Sequence, residues 1–312
     1  MLKTYKHLFG PVPSRRLGLS LGVDLLMPKT CSLDCVYCES GKTSALTVER
    51  CEYVSSDQVE DELNDYLSTH PRLDHVTFSG WGEPVLNSCM PRIVRFIKTH
   101  FPQYRTALLT NGTLFYMKQA RQDVLDIDVI IASLDAVSND VFQALNRPHP
   151  SLEPNMIIQG LIDLRKEYRH ELWLEIFIVP GLNDTDSELK KLSETAKQIG
   201  ADKIQINTLD RPGTEAWVKA CEKSNLEMIQ RYFDDLEFVI QESSEGINGS
   251  GEKKNIDSSI LQIISRRPCT CEDLIKSTGQ SKTFIEICLK RLMAEGKIYS
   301  DRMLRGDFYR IS

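Results

Sequence analysis

Three cysteines in the stretch Cys31-Ser-Leu-Asp-Cys35-Val-Tyr-Cys38 carry the chemistry written most plainly in this chain. Thiols at this spacing on a short loop can each hold one iron of an iron–sulfur cube. Three protein ligands leave one iron of the cube open to a small molecule. A structural zinc would want a fourth Cys or His nearby, and the closest histidines, His7 and His70, stand at no ligand spacing. Three unrelated buried cysteines are the remaining alternative, a rare outcome at this spacing.

Such a loop needs elements to hold it. The leucine-rich run Leu19–Leu26 before it is expected to be a strand. Further strands are expected at Asp74–Gly80, Arg105–Thr110, Asp128–Leu134, Leu172–Val179 and Lys203–Thr208. Helical spacing separates them near Asp57–Thr69, Cys89–His100, Leu114–Leu125, Asn139–Leu145, Pro154–Tyr168 and Asp186–Ile199. Strands alternating with helices predict an α/β fold with a parallel sheet, whose chemistry gathers at the carboxyl ends of the strands. At those ends stand Ser79-Gly-Trp-Gly-Glu-Pro84, Asn111, Ser133 and Asp135. Asn111-Gly112 is equally a good turn, and Ser133 and Asp135 are equally helix caps. Glu175 falls inside the fifth strand among apolar neighbours, where an ionised carboxylate needs a partner or a ligand. Gln205 and Asn207 alternate with Ile204 and Ile206, which gives the sixth strand one polar face.

Cys31, Cys35 and Cys38, with Tyr37 just before the last, resemble the signature of the radical S-adenosylmethionine (SAM) superfamily. The opening Phe9-Gly-Pro-Val-Pro-Ser-Arg-Arg-Leu-Gly18 and the run Leu209-Asp-Arg-Pro-Gly-Thr-Glu215 resemble a narrower branch related to wyosine-base synthases. The resemblance implies a partial (βα)6 TIM-like barrel, with a flat doubly wound sheet as the rival. It implies a [4Fe-4S] cluster on the three cysteines, with SAM chelated at the open iron. It also implies reductive cleavage of SAM to methionine and a 5′-deoxyadenosyl radical that takes a hydrogen from a substrate the sequence leaves open. An electron donor such as flavodoxin or ferredoxin follows from the same chemistry. The segment Gly80-Trp-Gly-Glu-Pro84 resembles the Gly-Gly-Glu-Pro element that binds the SAM amino group, with Trp81 in place of a glycine. Cofactor-binding candidates are therefore Gly80, Trp81, Gly82 and Glu83, together with Tyr37, Asn111, Ser133, Asp135 and Glu175. Arg211 is the candidate for a substrate anion. No catalytic residue is assigned.

After Ile240 the composition changes. Residues 241–255 are rich in Gly, Ser and charge, and are expected to be a flexible linker between a core at 1–240 and a small module at 256–312. The module shows helical patterns at Ile256–Ser265, Cys271–Thr278 and Lys282–Glu295, then two strands around Arg302–Gly306, an order that resembles a winged helix-turn-helix. Its ten Lys/Arg against seven Asp/Glu make it mildly basic within a chain of net charge −6. A second reading follows: an iron–sulfur redox-sensing regulator that binds DNA through Lys282, Thr283, Lys290 and Arg291 on the third helix and Arg302 and Arg305 at the wing. The favoured alternative is that the module docks on the barrel, dimerises or holds a protein substrate. The overall acidity makes nucleic acid the less favoured partner. Cys269-Thr-Cys271 is too short a ligand set for a metal. Cys51, Cys89, Cys221 and Cys288 are expected to be buried small hydrophobes.

Nine cysteines, an odd number with a metal-type cluster among them, suit a reducing cytosol, so a cytoplasmic protein is expected. No apolar run is long enough for a membrane span, and the N-terminal residues lack the apolar core of a signal peptide.

Overall fold

A computed structural model describes residues 5–14, 16–233, 238–240, 256–303 and 305–312. The expected linker at 241–255 lies outside the described residues.

Two strands, β1 (Leu8–Ser14) and β2 (Gly18–Val23), lead into the cysteine loop. The loop carries the short parallel pair β3 (Thr30–Cys31) and β4 (Ala45–Leu46). Alternation then sets in: α1 (Ser56–Leu67), β5 (His75–Phe78), α2 (Met90–His100), β6 (Arg105–Thr110), α3 (Lys118–Gln122), β7 (Val129–Ser133), α4 (Asn139–Asn146) and α5 (Pro154–Glu167). It continues through β8 (Glu171–Ile178), α6 (Asp186–Ile199), β9 (Lys203–Thr208), α7 (Lys223–Gln230) and β10 (Phe238–Ile240). The main sheet has eight strands in the order β1-β2-β5-β6-β7-β8-β9-β10, all parallel except β1. Its strand order follows the chain and has two free ends, so among the described residues the sheet is open.

The six expected strands are all present, with edges added on both sides. β1 is an addition to the expected strands; its prolines fit an edge, where a missing N–H costs little, and the register shifts between Phe9 and Val12. The helix expected at Leu114–Leu125 shrinks to α3. Leu114 and Phe115 are buried in the core instead, and the chain there passes so close to α5 that a Cβ on Gly160 would lie 2.5 Å from the Tyr116 nitrogen.

Strand alternation sorts side chains onto two faces. Leu172, Leu174 and Ile176 of β8, and Ile204 and Ile206 of β9, join the main core with the helices. On the other face Leu17, Leu109, Ile131 and Trp173 form an apolar floor. Beyond that floor Ser133, Glu175 and Gln205 stand abreast across β7, β8 and β9.

The C-terminal residues form α8 (Ile256–Arg266), β11 (Cys269–Thr270), α9 (Cys271–Thr278), α10 (Lys282–Ala294), β12 (Ile298–Met303) and β13 (Gly306–Ile311). β13 pairs with both β11 and β12, so the expected hairpin is a three-stranded sheet. Thr270 and Asp273 cap α9 reciprocally, and Ser281 caps α10 as its sequence suggests. These elements enclose a core of their own around Ile260, Leu274, Ile285 and Leu292. Cys221 and Cys288 are buried as expected, whereas Cys51 is exposed and Cys89 only partly covered; Cys269 is buried as well.

Candidate active site

The site is built at the carboxyl ends of the parallel strands, with the cysteine loop laid across them. Turns fold the loop on itself: the Cys38 N–H donates to the Cys35 carbonyl at 3.1 Å, and Gly41 N–H to the Cys38 carbonyl at 3.1 Å. Neighbouring elements then fix it. Asp34 and Val36 N–H groups donate to the carbonyls of Asn146 and Leu145 at 3.0 Å, at the end of α4. Tyr37 stacks on Phe177 of β8, with ring centroids 3.9 Å apart, and its hydroxyl donates to Asp135. Thr214 Oγ1 donates to the Cys38 carbonyl at 3.0 Å, and Glu215 N–H to that of Val36 at 3.0 Å.

Each cysteine sulfur faces a nitrogen donor from a different place. Asn111 Nδ2 lies 3.5 Å from Cys31 Sγ, Asn146 Nδ2 lies 3.4 Å from Cys35 Sγ, and Lys29 Nζ lies 3.3 Å from Cys38 Sγ. Cys31 lies close enough to Cys38, and Cys35 to both, for their charge to oppose its ionisation. Burial pushes Cys31 up to about 12 and Cys35 well above the ordinary thiol value. A bare thiolate is therefore disfavoured here, and a ligated iron would supply the positive charge that favours it. Soft sulfur donors, buried walls and an N–H group at each sulfur fit an iron–sulfur cluster. Among the described residues no group of three His, Cys, Asp or Glu side chains converges on a single metal ion. Asn146 and Lys29 escaped sequence reasoning. Asn146 is 111 residues from its cysteine, but Lys29, two residues before Cys31, was within reach of a closer reading.

The Gly80–Pro84 segment packs directly on this loop. A Cβ on Gly82 would lie 1.7 Å from the Thr30 carbonyl oxygen, so only glycine permits the approach. Glu83 turns inward: its carboxylate accepts from Thr110 Oγ1 at 2.7 Å, Asn111 N–H at 2.7 Å and Val85 N–H at 3.0 Å. Burial nevertheless raises it to about 7. Gly80 (φ +152°) sits against the Asp24 carboxylate. Asp24 accepts from the Trp81 N–H at 3.3 Å and is raised by burial to about 6.

Farther along the rim, buried Asp135 accepts from Tyr37, from Phe177 N–H at 2.9 Å and from Asn146 Nδ2 at 2.9 Å, while burial lifts it to about 6. Ser133, Asp135, Asn111 and Asn146 line one cavity. Glu175 pairs with Arg16 and accepts from Asn207 Nδ2 at 3.2 Å, which answers its need for a partner. The structure thus gathers all the sequence candidates except Arg211 around the cysteine loop or on the sheet face below it.

Arg211 is corrected. It is buried and donates to Asp273 at 2.9 Å and to the Pro268 carbonyl at 2.7 Å, while Glu39 lies 3.5 Å away, so its charge is already matched within the protein. The C-terminal elements also reach the rim. Arg266 lies between the rings of Phe9 and Trp81, at 4.8 and 5.1 Å from their centroids, and 3.6 Å from Asp24. Trp81 Nε1 donates to the Ser265 carbonyl at 2.9 Å.

Open parallel sheet, three-cysteine loop and glycine-rich rim together define a class, and comparison with known proteins agrees. The family model described as the radical SAM superfamily matches residues 25–196, and the chain belongs to that superfamily and, within it, to the UPF0026 proteins. It is 30% identical over 298 residues to a UPF0026 protein of Methanocaldococcus jannaschii, covering 93% of this chain and 91% of that one. It is 32% identical over 302 residues to a Brachyspira hyodysenteriae protein named GTPase Obg, covering 95% of this chain but only 44% of that one. A radical SAM methyltransferase from Sphaerobacter thermophilus shares the fold with a TM-score of 0.57 at 15% identity, over 72% of this chain and 67% of that one. TYW1 with a lysine-pyruvate adduct bound does so with a TM-score of 0.51 at 15% identity, over 73% and 76%. No helix among the described residues is long and apolar enough to cross a membrane.

Proposed function

We propose that this chain is a radical SAM enzyme that holds a [4Fe-4S] cluster on Cys31, Cys35 and Cys38 and cleaves SAM to generate a 5′-deoxyadenosyl radical. The observation that carries the reading is the convergence of three partly buried thiols, each facing its own nitrogen donor, beside a glycine-rich rim at the carboxyl ends of a parallel sheet. When bound, such a cluster supplies the electron that splits the sulfonium of SAM.

The protein's own residues have separable tasks in this reading. Tyr37, held by Phe177 and Asp135, keeps the loop in place. Glu83 braces the rim from behind, so that the backbone of Gly80, Trp81 and Gly82 faces the SAM amino group. Asn111, Ser133 and Asp135 face the rest of SAM, and Glu175 lies deeper, toward the substrate side. Flavodoxin or ferredoxin is the class of electron donor required.

The C-terminal residues 256–312 form a winged-helix-like domain in this reading, appended to a partial-barrel core at 1–240. A DNA-binding role draws little support from its cations, because Arg291 pairs with Asp257, Arg302 with Asp307 and Arg305 with Asp273.

Anaerobic reconstitution tests the proposal. About four irons and four sulfides per chain are expected, and Cys31→Ala, Cys35→Ala and Cys38→Ala should each abolish stable binding. Dithionite and SAM should then yield 5′-deoxyadenosine. Stoichiometric zinc without sulfide would sink the cluster. A cluster that never reacts with SAM would hand the site to the sensor reading.

A further inference from the structure

A second pocket opens where the cysteine loop meets the C-terminal elements. Glu39 and Ser40 form one wall, Ser265 and Arg267 at the end of α8 another, and Tyr299 and Arg310 of the terminal sheet a third. Ser40 stands two residues after Cys38 and ties the walls together, its hydroxyl donating to the Arg266 carbonyl at 3.1 Å.

Charge makes this pocket unusual. Arg267 is partly buried, and its guanidinium makes no hydrogen bond or ion pair among the described residues. The neighbouring arginines are engaged: Arg211 with Asp273, Arg266 with Asp24, Arg305 with Asp273 and Asp210. Glu39, the one carboxylate on the pocket wall, leans toward Arg211 at 3.5 Å. Burial, and after it the adjacent Arg211 cation, push the Arg267 guanidinium below its ordinary value, and the opposing pull of Cys269, Glu39 and Asp273 only partly offsets them. A cation half withdrawn from water beside a like charge is costly unless an anion joins it. Arg310 offers further donors, since among the described residues its one ion pair is with Asp301 at 3.4 Å, and it lies over the Tyr299 ring.

We propose that this pocket is an oxyanion subsite, with Arg267 as its principal cation, that anchors a phosphoryl or carboxylate group of the substrate. The inference deepens the radical SAM reading and rests on it for the word substrate; the anion site itself does not. A planar guanidinium presents paired donors that match either oxyanion. Placed beside Ser40, the anchored group is held next to the cysteine loop.

The test is calorimetric titration of the reconstituted protein with inorganic phosphate and, separately, with acetate at low ionic strength. Saturable binding is expected, weakened about tenfold or more in Arg267→Gln, the loss typical of a charge-assisted hydrogen bond. A smaller loss is expected in Arg310→Gln. Preference for phosphate marks a phosphoryl group, and equal or better binding of acetate marks a carboxylate. Should Arg267→Gln fail to fold, phosphate protection of wild-type Arg267 against phenylglyoxal, mapped by mass spectrometry, replaces it. Absence of saturable binding in wild type, binding unchanged in Arg267→Gln, or no protection overturns the proposal. Deoxyadenosine formation is measured on wild type alone: if it fails while anion binding depends on Arg267, the radical SAM reading falls and the subsite stands.

Discussion

Gly82→Ala isolates the contact between the glycine-rich rim and the cysteine loop. The added Cβ would meet the Thr30 carbonyl oxygen at 1.7 Å, and ordinary contact begins at 3.4 Å, so the two segments must part by about 1.7 Å. Thr30 is buried, and its carbonyl also accepts the Glu83 N–H at 3.3 Å, a bond this separation would break. Overpacking of this kind costs about 1–3 kcal/mol, and the lost hydrogen bond about 1 kcal/mol more. At ~2–4 °C per kcal/mol for a chain of this size, Tm should fall by roughly 4–16 °C. Thr30 precedes Cys31, so the same displacement should lower iron content after reconstitution. Gly41→Ala is the control: its φ of +88° strains alanine by about 1–2 kcal/mol, but nothing lies within 4 Å of the new Cβ. It should lose some stability and keep its iron. Full iron in Gly82→Ala, with Tm within about 1 °C of wild type, would refute the steric argument.

Asn146→Ala removes the N–H facing Cys35 Sγ, and donors to cluster sulfurs favour the reduced, more negative state. The cluster midpoint in an electron-paramagnetic-resonance redox titration should therefore move to lower potential; an unchanged midpoint refutes the assignment. Asp273→Asn should destabilise the chain by about 3–5 kcal/mol in denaturant melts, because it leaves buried Arg211 without its nearest carboxylate. Arg211 and Arg305 hold the Asp273 carboxyl well below its ordinary value of 3.8 against the opposing effect of burial. Its contribution is therefore present above about pH 4 and lost as pH falls below it. Wild type should accordingly lose stability more steeply than Asp273→Asn below pH 4, and parallel curves would count against the pair. Arg266→Gln strips Asp24 of its cation, so hydrogen exchange should quicken at 80–84 and 262–270 together; a change confined to one segment would show that Arg266 does not couple them.

What could be read from the sequence was local. The strands from Leu19 to Thr208 declare themselves through apolar runs of the right length, and the three cysteines through spacing alone. Side-chain direction along β9 follows from alternation, which is why Gln205 and Asn207 are legible as one polar face, and Glu175 of β8 pairs with Gln205 across the sheet. β1 was hidden because its prolines are poor strand residues anywhere except an edge, and edge status is a property of the sheet. Arg211 was misread for a similar reason: a lone arginine after a strand end suggests a ligand anion until Asp273, 62 residues later, is seen to occupy it.

The C-terminal unit shows where composition stops being informative. Its helix patterns and caps are legible, and its own apolar core makes it look self-sufficient. The contacts that seat it on the core include Arg211 with Asp273, Trp81 with the Ser265 carbonyl, Gln262 with the Tyr5 and Leu8 carbonyls, and Arg266 between two rings and Asp24. None of these has a sequence pattern, because each joins residues far apart in the chain. Two of them fall on the Gly80–Pro84 rim, at Trp81 and beside Gly80. Trp81, the residue that departs from the expected glycine, supplies both an indole N–H and a ring face to α8. The departure is therefore explained by docking: a glycine at this position would offer α8 nothing to hold, and the rim and the C-terminal unit would lose their direct bond.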